Sequence, residues 1–388
     1  MPKYRLLTPG PVAVPERIRL AMAQTLLHHR APAFISVFEK VRANLKRVFQ
    51  TEGEVLVVAC SGTGAMEAAL TNTLSPGDRA VVVRAGKFGE RWAEICAVHG
   101  IEVESVDVEW GQAVEPAAVR AAFARAPNAR ALLVQACETS TGVYHPIRDL
   151  AEITREDPKR LIVVDGISGV GVHDLPMDAW GLDVVVSGSQ KSWLLPPGLA
   201  FVALSDRAAV AVQSARCPRY YFDLRKELAA QVDNQTAWTA AVSLIVGLRE
   251  ALEMILEEGL QEVFARHEAL ARATRAAMKA LGLRLVAPDA PSFACTAVYL
   301  PDGIDGKRFV KHLRDIYNLT ITGGQGRLDG KIFRIGHMGD VDGFDMISAV
   351  AAVEMTLADL GHPVRIGDGT RAMTEQLHKS GLRKVRLQ

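Results

Sequence analysis

Cysteine is scarce and unpaired in this chain: Cys60, Cys96, Cys137, Cys217 and Cys295 are odd in number, widely scattered, and form no C-x-x-C pair. Neither a disulfide framework nor a zinc knuckle is expected, and a reducing cytoplasm is. An excess of either charge is also missing, since 45 Lys+Arg face 44 Asp+Glu for a formal charge of +1. No field therefore favours nucleic acid or an anionic membrane surface. No run approaches the roughly 20 apolar residues that span a bilayer. The stretch Met1 to Pro11 lacks the apolar core of a signal peptide, so a soluble protein with no membrane partner is expected. The sequence shows no internal repeat, no low-complexity tract and no metal-ligand spacing.

What the chain does have is material for a large core: 388 residues, 49% of them hydrophobic. That length suits one large domain and one smaller one. From about residue 50 to 205, short β-branched runs alternate with helical patterns: Val55 to Ala59, Ala80 to Val83, Glu102 to Val106, Ala131 to Gln135, Leu161 to Val164, Val184 to Val186 and Ala200 to Leu204. This rhythm predicts an α/β domain with a mostly parallel central sheet. Several runs are apolar throughout, as strands covered on both faces are, and ligands then belong at their C-terminal ends. Residues 239–281 read as one or two long amphipathic helices bridging to a smaller C-terminal α+β unit. Its strands are expected at Ala294 to Leu300 and Ile332 to Ile335, its helices at Lys307 to Tyr317 and Phe344 to Leu360. The expected division is an N-terminal arm (1–20), a large domain (21–258) and a small one (259–388).

Three features carry chemistry. Lys191, in Ser187-Gly188-Ser189-Gln190-Lys191-Ser192-Trp193, follows an apolar run among small residues and an aromatic. An amine held near an apolar wall loses its proton more easily and becomes nucleophilic, which imine formation requires. Lys191 is therefore expected to carry pyridoxal 5′-phosphate (PLP) as a Schiff base. Asp165 ends the run Leu161-Ile162-Val163-Val164, where a carboxylate needs a cationic partner. In a PLP site that partner is the protonated pyridine nitrogen. Ser61-Gly62-Thr63-Gly64 follows Val55 to Ala59 and opens a helix, whose first N–H groups and dipole form an anion site. Glu67 occupies the third-glycine place of a dinucleotide fingerprint, and no Gly-Lys-Ser/Thr follows, so a nicotinamide or ATP enzyme is disfavoured.

In order along the chain, Thr8-Pro9-Gly10-Pro11, Ser61-Gly62-Thr63-Gly64, Glu138-Thr139-Ser140-Thr141-Gly142, Val164-Asp165-Gly166, Ser187-Gly188-Ser189-Gln190-Lys191 and Arg334-Ile335-Gly336 resemble the class V aminotransferases. The alanine-glyoxylate and serine-pyruvate (serine-glyoxylate) branch is the most similar. The resemblance runs from about residue 5 to about 360. It implies the type I PLP fold and a homodimer with active sites at the subunit interface. It implies that backbone of Ser61, Gly62 and Thr63 and the Gln190 side chain hold the phosphate, with Thr239 reaching it from the partner chain. Phe88 matches an aromatic stacked on the cofactor ring, Phe here where relatives carry Trp. Thr139 matches a hydroxyl near the ring oxygen, Ile167 a side chain on the opposite ring face, and Arg334 the arginine that grips the substrate carboxylate. A planar guanidinium suits that bidentate task.

The resulting expectation is a ping-pong transaminase moving an amino group from alanine or serine to glyoxylate or pyruvate. A phosphonate-directed aminotransferase acting on 2-aminoethylphosphonate is the alternative, kept open by Arg30. So is a cysteine desulfurase or lyase of the same fold, which would want a reactive cysteine on a mobile polar loop; Cys295 sits instead in an apolar strand-like run. A non-catalytic scaffold keeping the fold is a further reading, against which Lys191, Asp165 and Arg334 speak. His28-His29-Arg30 reads as an interfacial helix end, with His29 and Arg30 as candidate readers of a substrate's distal group.

Overall fold

The protein is described by a computed structural model, over residues 3–381. The chain opens with β1 (Arg5–Leu6), α1 (Glu16–Met22) and α2 (Pro32–Phe49). It then alternates: β2 (Glu54–Val58), α3 (Gly62–Thr73), β3 (Arg79–Arg84), α4 (Lys87–Val98), β4 (Glu102–Asp107), α5 (Pro116–Arg125) and β5 (Ala129–Gln135). A ribbon of β6 (Cys137–Glu138) and β7 (Val143–Tyr144) leads to α6 (Ile147–Thr154), β8 (Leu161–Asp165), α7 (Met177–Trp180), β9 (Val184–Gly188) and β10 (Ala200–Leu204).

Seven of these strands form the central sheet in the order β2-β10-β9-β8-β5-β3-β4. It is parallel except for β10, which runs antiparallel to both neighbours. Side chains alternate across it with period two, as the pleat demands. Val55 and Val57 enter one core and Leu56 and Val58 another; Leu132 and Val134 divide from Ala131 and Leu133 in the same way. Both faces are covered, which is why these strands read as unbroken apolar runs. β2, β3, β5, β8 and β9 point the same way, so the segments that follow them gather at one edge.

Beyond the sheet come α8 (Asp206–Ser214), α9 (Leu224–Gln231), α10 (Val242–Glu258) and α11 (Leu260–Ala280). The last two fill the stretch 239–281, where one or two long helices were expected, and the chain turns between them at Gly259, whose φ of +89° suits glycine. Then follow β11 (Cys295–Tyr299), α12 (Gly306–Tyr317), β12 (Leu319–Thr320), β13 (Thr322–Gly323), β14 (Ile332–Gly336), α13 (Gly343–Asp359) and α14 (Asp368–Ser380). A sheet in the order β11-β14-β13 and a separate core, running from Leu270 to Met373 and including Leu7, organise this part. The first core reaches as far as Val263 on α11. The arm thus belongs partly to the C-terminal unit: β1 pairs in parallel with β12, and Gly336 N–H donates to the Leu7 carbonyl (2.8 Å). No helix among the described residues is long and apolar enough to cross a membrane.

Candidate functional site

Lys191 lies three residues past the end of β9, in a loop fixed by side-chain bonds to its own frame. Ser189 Oγ donates to the Pro196 carbonyl (2.7 Å), Ser192 Oγ to that of Val170 (2.6 Å), and Trp193 Nε1 to Ser187 Oγ (2.7 Å). Leu194 closes the loop at φ +61°, the left-handed region, where a leucine is strained. Such a loop leaves the lysine little freedom. Its side chain is buried, and burial lowers the amine from its ordinary 10.5 to about 8, against the opposing pull of Cys295, Cys137 and Asp165. Nζ donates to the Pro9 carbonyl of the N-terminal arm, and Val12 N–H of the same arm donates to the Gln190 carbonyl (3.1 Å). A side chain at Gly10 would fall 2.5 Å from Nζ and Cδ of Lys191. The arm therefore lies directly against the amine, a contact for which the sequence reading assigned the Thr-Pro-Gly-Pro motif no role.

Asp165 ends the neighbouring strand β8, fully buried. Its Oδ1 accepts from Ile167 N–H (2.9 Å), yet burial still pushes the carboxyl from 3.8 to about 7. A carboxyl so placed is short of positive charge, and a cationic group beside it would restore the ionised form.

At the end of β2 the chain turns through Ser61 into α3. No side chain caps that helix and its first turn carries no acid, so its N-terminal dipole is uncompensated from within. Gly62 lies under the Ile167 side chain and beside Gly188; a Cβ on Gly188 would sit 3.4 Å from the Gly62 nitrogen and 3.3 Å from Gln190 Oε1. That Oε1 is buried without a hydrogen-bond partner. Arg91 of α4 donates to Thr63 Oγ1 (3.1 Å) while its guanidinium lies 4.8 Å from the Phe88 ring centre. Ser61, Gly62, Thr63, Ile167 and Gln190 thus surround one cradle, with Phe88 at its rim through Arg91. Sequence reading missed Arg91, although its i+3 spacing from Phe88 on a helix places the two side by side.

Arg334, in the middle of β14, is buried; Nε donates to the Gly323 carbonyl (2.9 Å) and Nη1 to that of Thr139 (2.8 Å). Both bonds run to neutral carbonyls; its charge is felt at Lys191, and the acid that acts on it is Glu138, which makes no hydrogen bond to it. Thr139 itself follows Glu138, a fully buried acid that sequence reading did not single out.

Thr239 and the candidates His29 and Arg30 lie elsewhere. Thr239 lines a separate cavity of about 510 Å³ with Leu26, His28 and His29, whose lining does not include Lys191. His28 to Arg30 form a turn before α2 rather than a helix end: Ala31 N–H donates to the His28 carbonyl (2.9 Å), and Arg30 Nη1 to Gln235 Oε1 (2.5 Å).

Known proteins offer a comparison. A family model for aminotransferase class-V matches residues 19–327. The chain is 42% identical over 363 residues to the soluble hydrogenase 42 kDa subunit of Anabaena cylindrica, across 93% of this chain and 94% of that one. It is 38% identical over 381 residues to the L-aspartate–glyoxylate aminotransferase of Paracoccus denitrificans, across 96% of each. Its backbone matches the crystal structure of ureidoglycine–glyoxylate aminotransferase from Bacillus subtilis with a TM-score of 0.92 at 28% identity, across 97% of this chain and 99% of that one.

Proposed function

The chain belongs to the class-V aminotransferases, and from that premise we propose that it moves the amino group of a small amino acid, alanine or serine, to glyoxylate or pyruvate in ping-pong fashion. It is a PLP-dependent transaminase with the type I fold. The observation that carries the reading is a buried, easily deprotonated Lys191 beside a charge-starved Asp165 at the edge of the central sheet, with the buried Arg334 of the small sheet close enough to act on the amine.

The residues fit the cofactor. The uncapped start of α3 and the unpartnered Gln190 Oε1 suit a phosphate with a protonated oxygen or bound water, and Asp165 suits a cationic ring nitrogen. PLP supplies an aldehyde that an amine can join and a ring that takes up the electron pair left on the substrate Cα. Arg334 holds the substrate carboxylate and so fixes which Cα bond faces Lys191. Lys191, neutral above about 8 and partly so at neutral pH, would take the Cα proton and hand it on toward the former aldehyde carbon, on the other side of the joining nitrogen. Asp165 would hold the ring nitrogen in its protonated form, and Phe88, Ile167 and Thr139 would hold the ring. Ser61, Gly62 and Thr63 hold the phosphate, joined by Thr239 of a second subunit in a homodimer. Within this reading, 21–258 form the cofactor domain and 259 onward the smaller one, whose last residues, 382–388, lie outside the described residues; the arm reaches 20 although α1 continues to Met22.

A desulfurase of the same fold would need a reactive thiolate. Burial pushes Cys295 up to about 11, and the thiols of Cys60, Cys96, Cys137 and Cys217 are also raised. The test is a half-reaction: purified protein with PLP should lose its visible absorption band on addition of alanine or serine alone and regain it with glyoxylate or pyruvate. Lys191→Ala should lose both the band and the transfer. Inert spectra with both donors, combined with sulfide release from cysteine, would overturn the assignment.

A further inference from the structure

α4 begins at Lys87 after a glycine, and Gly86 has no side chain with which to cap it. The open N–H groups are satisfied from a distant stretch of chain. Lys87 N–H donates to Ser140 Oγ (3.1 Å), while Phe88 N–H (3.1 Å) and Gly89 N–H (3.0 Å) donate to Glu138 Oε2. The other carboxylate oxygen, Oε1, accepts from Ser140 N–H (3.2 Å) and Ser140 Oγ (2.5 Å); Gln135 Nε2 adds a bond to Oε2 (3.1 Å). Glu138 is fully buried and every one of these neighbours is a donor. Gly86 is bare for a matching reason: a Cβ there would fall 2.5 Å from Glu138 Cγ and from Ser140 Oγ. Its φ of 171° is extended backbone open to any residue, so space rather than conformation demands the glycine.

We infer that Glu138 is a positioning residue for the cofactor ring: its carboxylate caps α4 from the end of β6 and thereby sets where the Phe88 ring stands. This rests on the reading of Phe88 as the stacking aromatic. Phe88 is the second residue of α4, so a shift of the first turn carries its ring along. The next residue, Thr139, gives its carbonyl to Arg334. One short segment thus ties the ring-stacking helix to the arginine that takes the substrate. Burial pushes the Glu138 carboxyl up, and the donors of Ser140, Gly89 and Phe88 work against that push. An amide of the same shape does not substitute, because both oxygens face donors and its NH2 would meet one of them.

The experiment titrates PLP into full-length protein freed of cofactor, reading the dissociation constant and the visible circular dichroism of the bound ring. Wild type, Glu138→Gln, Phe88→Ala and the double variant are compared. Glu138→Gln should weaken PLP roughly tenfold, the scale of one lost hydrogen bond to a charged group, and diminish the dichroic band. The double variant should bind no more weakly than Phe88→Ala, because both changes act through one ring. Multiplying fold-changes would sink the route through Phe88, as would a Glu138→Gln protein with wild-type affinity and dichroism. Wild-type affinity in Phe88→Ala would sink the stacking reading itself and this inference with it. Should Glu138→Gln fail to fold, Gly86→Ala displaces the same carboxylate and must give the same signature; an unaltered Gly86→Ala protein overturns the inference.

Discussion

At the scale of single residues, burial does most of the chemistry at this site. Lys191 and Asp165 are drawn toward neutrality from opposite directions, one lowered to about 8 and the other raised to about 7. For Asp165 the shift has a sign that can be tested. A carboxyl that keeps its proton to about 7 when folded but loses it near 3.8 when unfolded binds more protons in the native state between those values. Its stabilising contribution is complete below 3.8 and disappears as pH rises toward 7. In the cofactor-free protein, Asp165→Asn should remove that fall, so urea midpoints of wild type and variant should diverge between pH 5 and pH 7. Buried His145, His173 and His337, each lowered to about 3, contribute the opposite slope, but equally to both proteins. Parallel profiles would mean that Asp165 is ionised throughout. Lys191 and Asp165 stood out in sequence because each lies just past or at the end of an apolar run, where a charge needs a reason; Arg334 stood out only through the resemblance. Glu138 and Arg91 did not. Glu138 accepts from backbone N–H groups brought near by folding, which leave no pattern along the chain; Arg91 stands at helical spacing from Phe88, but its bond to Thr63 joins two elements and leaves none.

At the scale of elements, the strands expected from apolar runs match the sheet closely; β10, for example, spans Ala200–Leu204 as read. That β10 reverses direction was not legible from those runs. The reason is visible in the connection: residues 189–199 form the lysine loop, with no crossover helix to bring the chain back for a parallel pairing. The end of the chain was read less well. α14 lies beyond the resembling region, yet it buries Gly369 and Met373 and packs along α11. The arm is the element whose role sequence understated most. It joins β12 and β14 at one end and the lysine loop at the other, passing the amine at Gly10 with φ +108°. Gly10→Ala should therefore strain the backbone by about 1–3 kcal/mol and push the arm off Lys191. Turnover should fall on the order of a hundredfold, as for other small misplacements of reacting groups. A steady-state assay beside a thermal melt separates the two effects, and full turnover would show that the arm moves aside freely.

At the scale of the molecule, one chain does not assemble every residue expected at the site. Thr239 faces a cavity shared with Leu26, His28 and His29, while Lys191 lies against Pro9 and Gly10 of the arm and directly follows Gln190 of the cradle around Gly62 and Gly188. If a partner chain supplies Thr239 to that cradle, two inactive variants can repair one another. Lys191→Ala removes the amine and leaves Thr239 intact; Thr239→Glu keeps the amine and sets a negative charge against the phosphate, which raises the cost of binding it. In a mixed dimer one site receives Lys191 from one chain and Thr239 from the other, both wild type, and the second site receives both defects. Co-expressed, differently tagged and purified through both tags, the hybrid should regain about half the activity of the wild-type dimer. A site built within one chain gives no such recovery, because each chain then carries its own defect whatever its partner. Recovery in the hybrid therefore measures whether the sites are shared, independently of which amino acid they accept.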